Sequence, residues 1–172
     1  MNLDIKYKRT QHPTFAKWID ENIHKALTVL DIGSGGGWYH QFLRKSYLVT
    51  IDADPKGNPD FVLDVGKTKL PFDKDLFPTV LMFDVIEHME KEEGLFALEE
   101  AKRVCSNVLF LLTPLKWDDN SKSTNDKRSF YYQNEYNYHR SLWTVDDFVD
   151  FVRIDKPFKS DEYFFGYWKN EI

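Results

Sequence analysis

The chain has 172 residues, of which 42% are hydrophobic and 16% are aromatic, and this composition supports one folded domain over residues 1–172 and argues against disorder. The net charge of -5, without a Lys/Arg-rich run, does not favour a nucleic-acid partner. A single cysteine, Cys105, excludes an internal disulfide and a cysteine-based metal site, and fits a reducing, cytoplasmic location. We expect no signal peptide and no membrane-spanning segment, because the first residues lack an apolar core and the apolar runs are short.

The first predicted elements frame a glycine-rich turn. Residues 13–27 carry apolar side chains at helical spacing and predict a helix, with Pro13 suited to its first turn. The apolar run Thr28–Ile32 predicts the first strand, and residues 38–45 predict a second helix. Between strand and helix lie three glycines at alternate positions, Gly33, Gly35 and Gly37. Glycine tolerates positive φ and lets a ligand approach the backbone, and a helix start favours an anionic group, although a tight turn without a ligand has the same pattern.

Acidic residues end the next two predicted strands. Residues 47–52 predict the second strand, and Asp52 stands where a carboxylate would accept hydrogen bonds from ribose hydroxyls. The alternative is a turn-forming aspartate, and Asp54 is a weaker candidate for the same role. Residues 60–65 predict the third strand, with Asp64 at its carboxyl end. An acid at this position can accept a hydrogen bond from an adenine amino group.

The fourth and fifth strands follow the same pattern. Residues 78–84 are almost continuously apolar, as in a central parallel strand covered on both faces, and end at Asp84. A helix is predicted to run from there to about Val104 and to precede the fifth strand at residues 107–113. Residues 115–140 form a long irregular segment rich in tyrosine, which we interpret as an ordered cover.

The last part of the chain predicts a short helix and a hairpin. Residues 144–151 carry a capping-box pattern and predict the helix. Residues 152–154 and 162–168 predict two strands that pair at the edge of the sheet.

Together these elements predict an α/β fold, a Rossmann-like, doubly wound, mostly parallel seven-stranded sheet with an antiparallel C-terminal edge hairpin. Ligands bind such sheets beyond the carboxyl ends of the strands. Four acidic residues map to that edge, namely Asp31, Asp52, Asp64 and Asp84. Four acids at successive strand ends are hard to explain by packing alone.

The chain resembles the class I S-adenosylmethionine-dependent methyltransferases, and within them a small single-domain member of the type 11 subgroup. Residues 31–37 match the D-x-G-x-G-x-G pattern of motif I, residues 83–89 are similar to motif IV, and the match covers roughly residues 12–168. The resemblance implies S-adenosylmethionine as cofactor and direct displacement of its methyl group. It implies a donor site formed by Asp31, Gly33, Ser34, Gly35, Gly37, Asp52, Asp64, Val65 and Asp84.

Two features depart from the family pattern. Ser106 and Asn107 stand where a glycine pair is usual before the fifth strand. The residues between the second and third strands, which are rich in proline and glycine, leave little room for the usual crossover helix.

Methyl displacement depends mainly on alignment, and a general base is needed only when the acceptor must lose a proton. The candidates are His139, our first choice because it lies in the segment above the strand ends, and His88. Either can instead be a structural histidine bonded to the backbone. No metal is implied, because no histidine, cysteine or acid group has metal-ligand spacing along the chain.

The acceptor is not encoded in a recognisable motif. The negative charge and the short chain favour a small molecule or a glycan; protein methylation stays open, nucleic acid is least favoured, and the oligomeric state is not indicated. Alternative functions are a non-catalytic S-adenosylmethionine-binding module and a methyltransferase-like structural subunit, which an exposed apolar patch at residues 164–168 would favour. A nicotinamide oxidoreductase is disfavoured because Trp38 occupies the third glycine position of the dinucleotide fingerprint.

Overall fold

A computed structural model describes residues 12–23, 26–43, 47–158 and 161–171, and their core is a seven-stranded sheet. The strands are β1 (Thr28–Ile32), β2 (Tyr47–Asp52), β3 (Phe61–Val62), β4 (Phe77–Phe83), β5 (Cys105–Pro114), β6 (Val152–Arg153) and β7 (Tyr163–Lys169). Their order is β3-β2-β1-β4-β5-β7-β6; the first five are parallel, and β7 runs antiparallel to both of its neighbours. This arrangement confirms the predicted mostly parallel sheet with an antiparallel C-terminal edge.

Helices cover both faces of the sheet, which accounts for the continuous apolar character of its central strands. Side chains alternate along β4, so Val80 and Met82 join a first hydrophobic cluster on one face of the sheet, whereas Leu81 and Phe83 join a second cluster on the opposite face. The two helices are α2 (Lys91–Val104), over the first cluster, and α1 (Pro13–Asn22), over the second.

The third strand is shorter than predicted, and the crossover before it is a single 3-10 turn at Pro55–Gly57. Regular pairing with β2 covers only Phe61–Val62. Before this pairing, the Asp60 carboxylate accepts hydrogen bonds from the Thr50 backbone N–H and hydroxyl, both at 2.9 Å. At this position the Asp60 side chain therefore takes the place of a main-chain carbonyl as the acceptor for Thr50. The missing crossover helix agrees with the sequence.

The helix predicted over residues 38–45 is wrong in its described part, where the chain forms only a 3-10 turn at His40–Phe42. Residues 44–46 lie outside the described residues. Two side chains of this turn fold back onto the carboxylate of Asp31, and this attachment holds the backbone in a tighter curve. Over the described residues, no α-helix follows the glycine turn, so the helix dipole expected to favour an anionic group there is not present.

The other predicted helices differ in extent. Helix α1 occupies only the first part of residues 13–27, of which 24 and 25 lie outside the described residues. A 3-10 turn at Ile86–His88 precedes α2, and the helix begins where the Glu90 side chain forms a capping box. The helix predicted at residues 144–151 is a 3-10 turn, Val145–Phe148, although its capping box is present.

The C-terminal hairpin places β6, not β7, at the edge of the sheet. Strand β7 lies between β5 and β6, and both Phe164 and Phe165 are buried. The exposed apolar patch that would favour a structural-subunit role is therefore not formed by these two side chains.

Cys105 is fully buried at the start of β5, and desolvation raises the pKa of its thiol to about 11. This environment suits a structural thiol rather than a reactive one. Among the described residues, no helix is both long and apolar enough to cross a bilayer.

Candidate functional site

A cleft of about 1420 Å³ opens above the carboxyl ends of β1, β2, β4 and β5. One wall is the glycine turn together with the end of β2, and the opposite wall belongs to the cover segment, residues 115–140. Of the residues predicted to bind the donor, seven line this cleft: Gly33, Ser34, Gly35, Asp52, Asp64, Val65 and Asp84. The fold thus brings most of the predicted donor site to one cavity.

The glycine turn is fastened to the end of β2. The backbone N–H groups of Gly33 and Ser34 donate to the Ile51 carbonyl at 2.8 and 3.0 Å. The next N–H, on Gly35, donates to the Asp52 carboxylate at 2.7 Å. These bonds position the turn against the strand that carries the predicted ribose-binding acid.

Two glycines of the turn leave no free room for a side chain. Gly33 has φ +72°, and a Cβ there would stand 2.3 Å from Cγ2 of Val85. Gly35 has φ +49°, and its Cβ would stand 3.0 Å from the hydroxyl oxygen of Tyr131. Positive φ and close packing therefore both require glycine at these positions.

Asp52 is positioned by two backbone donors. Its Oδ2 accepts the N–H of Gly35, and its Oδ1 accepts the N–H of Asp54 at 2.8 Å. Burial in the cleft wall raises the pKa of Asp52, and the two backbone hydrogen bonds oppose that rise. By contrast, the Asp54 carboxylate accepts from the Lys56 backbone and from the Asn134 side-chain amide, at 2.9 and 2.8 Å. Asp54 thus ties the cover segment to the end of β2.

Asp31 and Gly37 do not line the cleft. Asp31 is fully buried, its Oδ1 accepts the Tyr39 hydroxyl at 2.6 Å, and its Oδ2 pairs with His40 Nε2 at 2.6 Å. Burial, together with the charge of Asp31, raises the pKa of Tyr39 well above its usual value. Gly37 has φ +60°, with the His40 ring packed against it. Both residues shape the glycine turn from beneath.

The end of β3 adds Asp64 and Val65 to the cleft. Asp64 accepts the Gly66 backbone N–H at 3.2 Å and pairs with Lys67 Nζ at 3.1 Å. The side chain of Val65 is 5% exposed and packs into the core cluster under α2. An apolar surface beside an acceptor oxygen can receive a flat ring that carries an amino group.

Two carboxyl groups lie at the end of β4. Asp84 has φ +53° and is exposed to the open cleft, and partial desolvation by the cleft walls raises its pKa. Glu87 is 1% exposed, and its Oε2 accepts the Thr113 hydroxyl at 2.9 Å. Desolvation first, and then the charge of Asp84, raise the pKa of Glu87 well above its usual value.

The two candidate histidines meet in the cleft. The ring centroids of His88 and His139 are 4.9 Å apart. Burial, and then the neighbouring His139, lower the pKa of His88 to about 4. Burial also lowers the pKa of His139, although Asp118 and Asp119 oppose that shift.

Glu87 adds to this pair, because one potential ligand atom from each of Glu87, His88 and His139 lies within 4.8 Å of the others. We name these residues the Glu–His–His cluster. Spacing along the chain could not show the cluster, because His139 comes from the cover segment, whereas the other two residues follow β4.

The cover segment is anchored on both sides of the cleft. On the glycine side, Lys56 Nζ donates to the Phe130 carbonyl, and Tyr131 lies against Gly35. On the β4 side, the Arg140 backbone N–H donates to the Glu87 carbonyl at 2.7 Å, and its guanidinium donates to the His88 carbonyl at 2.7 Å. The sequence predicted an ordered cover but not these partners, which come from distant parts of the chain.

Comparison with known proteins identifies the fold. The sequence matches no protein-family model and no curated protein. PH0226 from Pyrococcus horikoshii is similar over 99% of this chain and 94% of its own, with a TM-score of 0.67 and 16% identity. A SAM dependent methyltransferase from Archaeoglobus fulgidus is similar over 96% of both chains, with a TM-score of 0.63 and 11% identity.

The small RNA methyltransferase HEN1 contains a region similar to 95% of this chain, which spans 26% of HEN1, with a TM-score of 0.59 and 18% identity. These likenesses show that the chain has the fold of the class I S-adenosylmethionine-dependent methyltransferases. Motifs I and IV of the sequence predicted this fold.

Proposed function

We propose that the chain is an S-adenosylmethionine-dependent methyltransferase whose donor binds between the glycine turn and the ends of β2 and β3. The observation that carries the proposal is the joining of Gly35 to Asp52 by a 2.7 Å hydrogen bond on the wall of the cleft. This bond places a backbone turn without side chains beside a carboxylate. Those are the two surfaces that a nucleoside with an attached charged chain requires.

The residues present fit such a donor. Each Asp52 oxygen accepts one backbone N–H and keeps a further lone pair, so both can accept ribose hydroxyls. Asp64 and Val65 offer the acceptor and the apolar contact for adenine. Gly33 and Ser34 allow close approach of the donor chain, and Asp84 borders it. Asp31 and Gly37 support the turn from below.

The size of the cleft favours a two-substrate reaction. Pockets for one small ligand typically enclose about 300–1,000 Å³, and this cleft encloses about 1420 Å³. The cavity therefore has room for the donor and an acceptor together. S-adenosylmethionine supplies an activated methyl group, and the protein's contribution is to align that group with the acceptor and to exclude water.

We place His139 and His88 on the acceptor side as the catalytic residues. Both line the cleft, and lowered pKa values keep both imidazoles neutral at pH 7, so each offers a lone pair. His139 is the better proton acceptor of the two, because the pKa of His88 falls to about 4.

The acceptor we favour is a small molecule or a glycan, in the cytoplasm. The chain carries a net charge of -5, and the cover segment encloses the acceptor side of the cleft. The fold alone leaves the acceptor open, because HEN1 is an RNA methyltransferase.

Isothermal titration with S-adenosylmethionine, S-adenosylhomocysteine and NADH tests this proposal. We expect the first two to bind and NADH not to bind. The matched variants are Gly35→Ala, which is strained at φ +49°, and Gly36→Ala, whose Cβ would make only an ordinary 3.7 Å contact with Phe130. Gly35→Ala should weaken donor binding far more than Gly36→Ala. Binding of NADH alone, or equal effects of the two variants, would contradict the proposal.

A further inference from the structure

We propose that the Glu–His–His cluster binds one divalent transition-metal ion at the acceptor side of the cleft. The ligand atoms of Glu87, His88 and His139 lie within 4.8 Å of one another, which is close enough for one ion to contact all three after small side-chain movements. All three residues line the cleft, so ligand positions that the protein does not fill would face the substrate space. Three protein ligands with an open position is the pattern of catalytic metal centres.

Hydrogen bonds outside the cluster orient its side chains. His88 Nδ1 faces the Tyr138 carbonyl at 3.4 Å, and the His88 ring also bonds the Asp84 backbone. The His139 ring bonds the Asp118 backbone, so one of its nitrogens also has a carbonyl partner. A backbone carbonyl that fixes the tautomer is the usual support of a metal-binding histidine.

Glu87 is held in the same way. The hydroxyl of Thr113 donates to Oε2 at 2.9 Å, and the backbone N–H groups of Val85 and Glu87 also donate to the carboxylate. These partners are neutral donors to the carboxylate of a residue that is 1% exposed. A bound cation would offset the desolvation of that buried charge, which neutral hydrogen bonds do only in part.

The backbone also brings the two parts of the cluster together before any ion binds. The N–H groups of Arg140 and Ser141 donate to the Glu87 carbonyl at 2.7 and 3.2 Å. The Arg140 guanidinium adds bonds to the His88 and Glu135 carbonyls at 2.7 and 2.9 Å. The segment that carries His139 is therefore fixed beside the turn that carries the other two ligands.

The ligand types select the class of metal. Two imidazoles and one carboxylate suit Zn²⁺, Fe²⁺ or Co²⁺, whereas Mg²⁺ and Ca²⁺ prefer sites made only of oxygen. The cluster should therefore prefer the first group.

Together with the proposed methyl transfer, on which this step depends, the site points to an acceptor with a hydroxyl group. With the ion bound, His88 and His139 serve as its ligands instead of as proton acceptors, and a hydroxyl that ligates the ion loses its proton to solvent more easily. Its oxygen then bonds the methyl carbon while the carbon–sulfur bond of the donor breaks and leaves a neutral thioether.

The test is metal titration of the full chain, with any affinity tag removed and metal stripped by a chelator, in the absence of S-adenosylmethionine. Co²⁺ binding is followed by its visible spectrum, and Zn²⁺ binding by competition with a chromophoric chelator. We expect one ion per chain. His139→Asn should weaken binding by more than about 100-fold, because loss of an outer hydrogen-bond partner alone typically costs 10–100-fold.

His12→Asn is the matched control, because His12 lies outside the cluster and should leave metal affinity unchanged. Circular dichroism checks that both variants are folded. Absence of Co²⁺ and Zn²⁺ binding, equal affinity in wild type and His139→Asn, or binding of Mg²⁺ in preference to both ions would overturn the proposal. Because no donor is present, failure of the methyltransferase proposal leaves this result unaffected, and the reverse also holds.

Discussion

Replacement of Asp52 by alanine is expected to remove most of the affinity for S-adenosylmethionine. The Asp52 carboxylate is the only group of the donor wall to which we assign two hydrogen bonds from the ribose. It is also held in place by the Gly35 and Asp54 N–H groups, at 2.7 and 2.8 Å. The substitution therefore removes both ribose contacts and one fastening of the glycine turn.

The magnitude follows from the number and type of the lost bonds. A hydrogen bond to a charged group contributes about 1.5–3 kcal/mol. Two such bonds at a half-exposed carboxylate, with allowance for replacement by water, correspond to about 3 kcal/mol. At 1.4 kcal/mol per factor of ten, the dissociation constant should rise by more than about 100-fold.

The assay is isothermal titration of wild type, Asp52→Ala and Asp54→Ala, with thermal unfolding as a check of folding. Asp54→Ala is a matched control, because its carboxylate also accepts two N–H groups, from Lys56 and Asn134. We expect Asp54→Ala to change donor affinity by less than about tenfold, which corresponds to less than about 1.4 kcal/mol of binding free energy. Unchanged affinity in a folded Asp52→Ala protein, or an equal loss in Asp54→Ala, would refute the assignment of Asp52 to the ribose.

Two further predictions concern stability. Gly33→Ala should destabilise the fold by about 2–5 kcal/mol, because the backbone there is left-handed and the new Cβ would stand 2.3 Å from Val85. Adding Val85→Ala to this variant should restore part of the lost stability. Unchanged urea denaturation of Gly33→Ala would contradict the close packing of Gly33 against Val85. Glu100 accepts from Leu70 N and from two Arg103 nitrogens, and this pairing lowers its pKa, so Glu100→Gln should cost about 2 kcal/mol at pH 7. Because the folded-state pKa lies below 4.5, the stabilisation is complete above that pH and is lost as the pH falls; a difference between wild type and variant that persists at pH 2 would contradict this reasoning.

The sheet was predictable from local sequence, because buried parallel strands are continuous apolar runs and their carboxyl ends share one edge. The Asp31–Gly37 motif and Asp52 were placed correctly on strand ends for this reason. The 3-10 turn that stands in place of the predicted helix after the glycine turn was not predictable, since the periodicity of residues 38–45 does not reveal that two side chains return to Asp31.

The site was predictable only where it is local to strand ends. Asp52 is the last residue of β2 and Asp64 lies two residues beyond β3, so their position follows from topology. The meeting of His139 with Glu87 and His88 depends instead on how the cover segment folds back, through bonds such as that from the Arg140 N–H to the Glu87 carbonyl. Such contacts between distant segments leave no periodic trace in the sequence.

The most direct test of the central claim is a crystal structure of the protein with S-adenosylhomocysteine. We predict the ribose hydroxyls within hydrogen-bond distance of the Asp52 carboxylate, the adenine beside Asp64 and Val65, and the sulfur facing the side of the cleft that holds His88 and His139. A nucleoside bound elsewhere, or bound in the cleft with its ribose away from Asp52, would contradict the account.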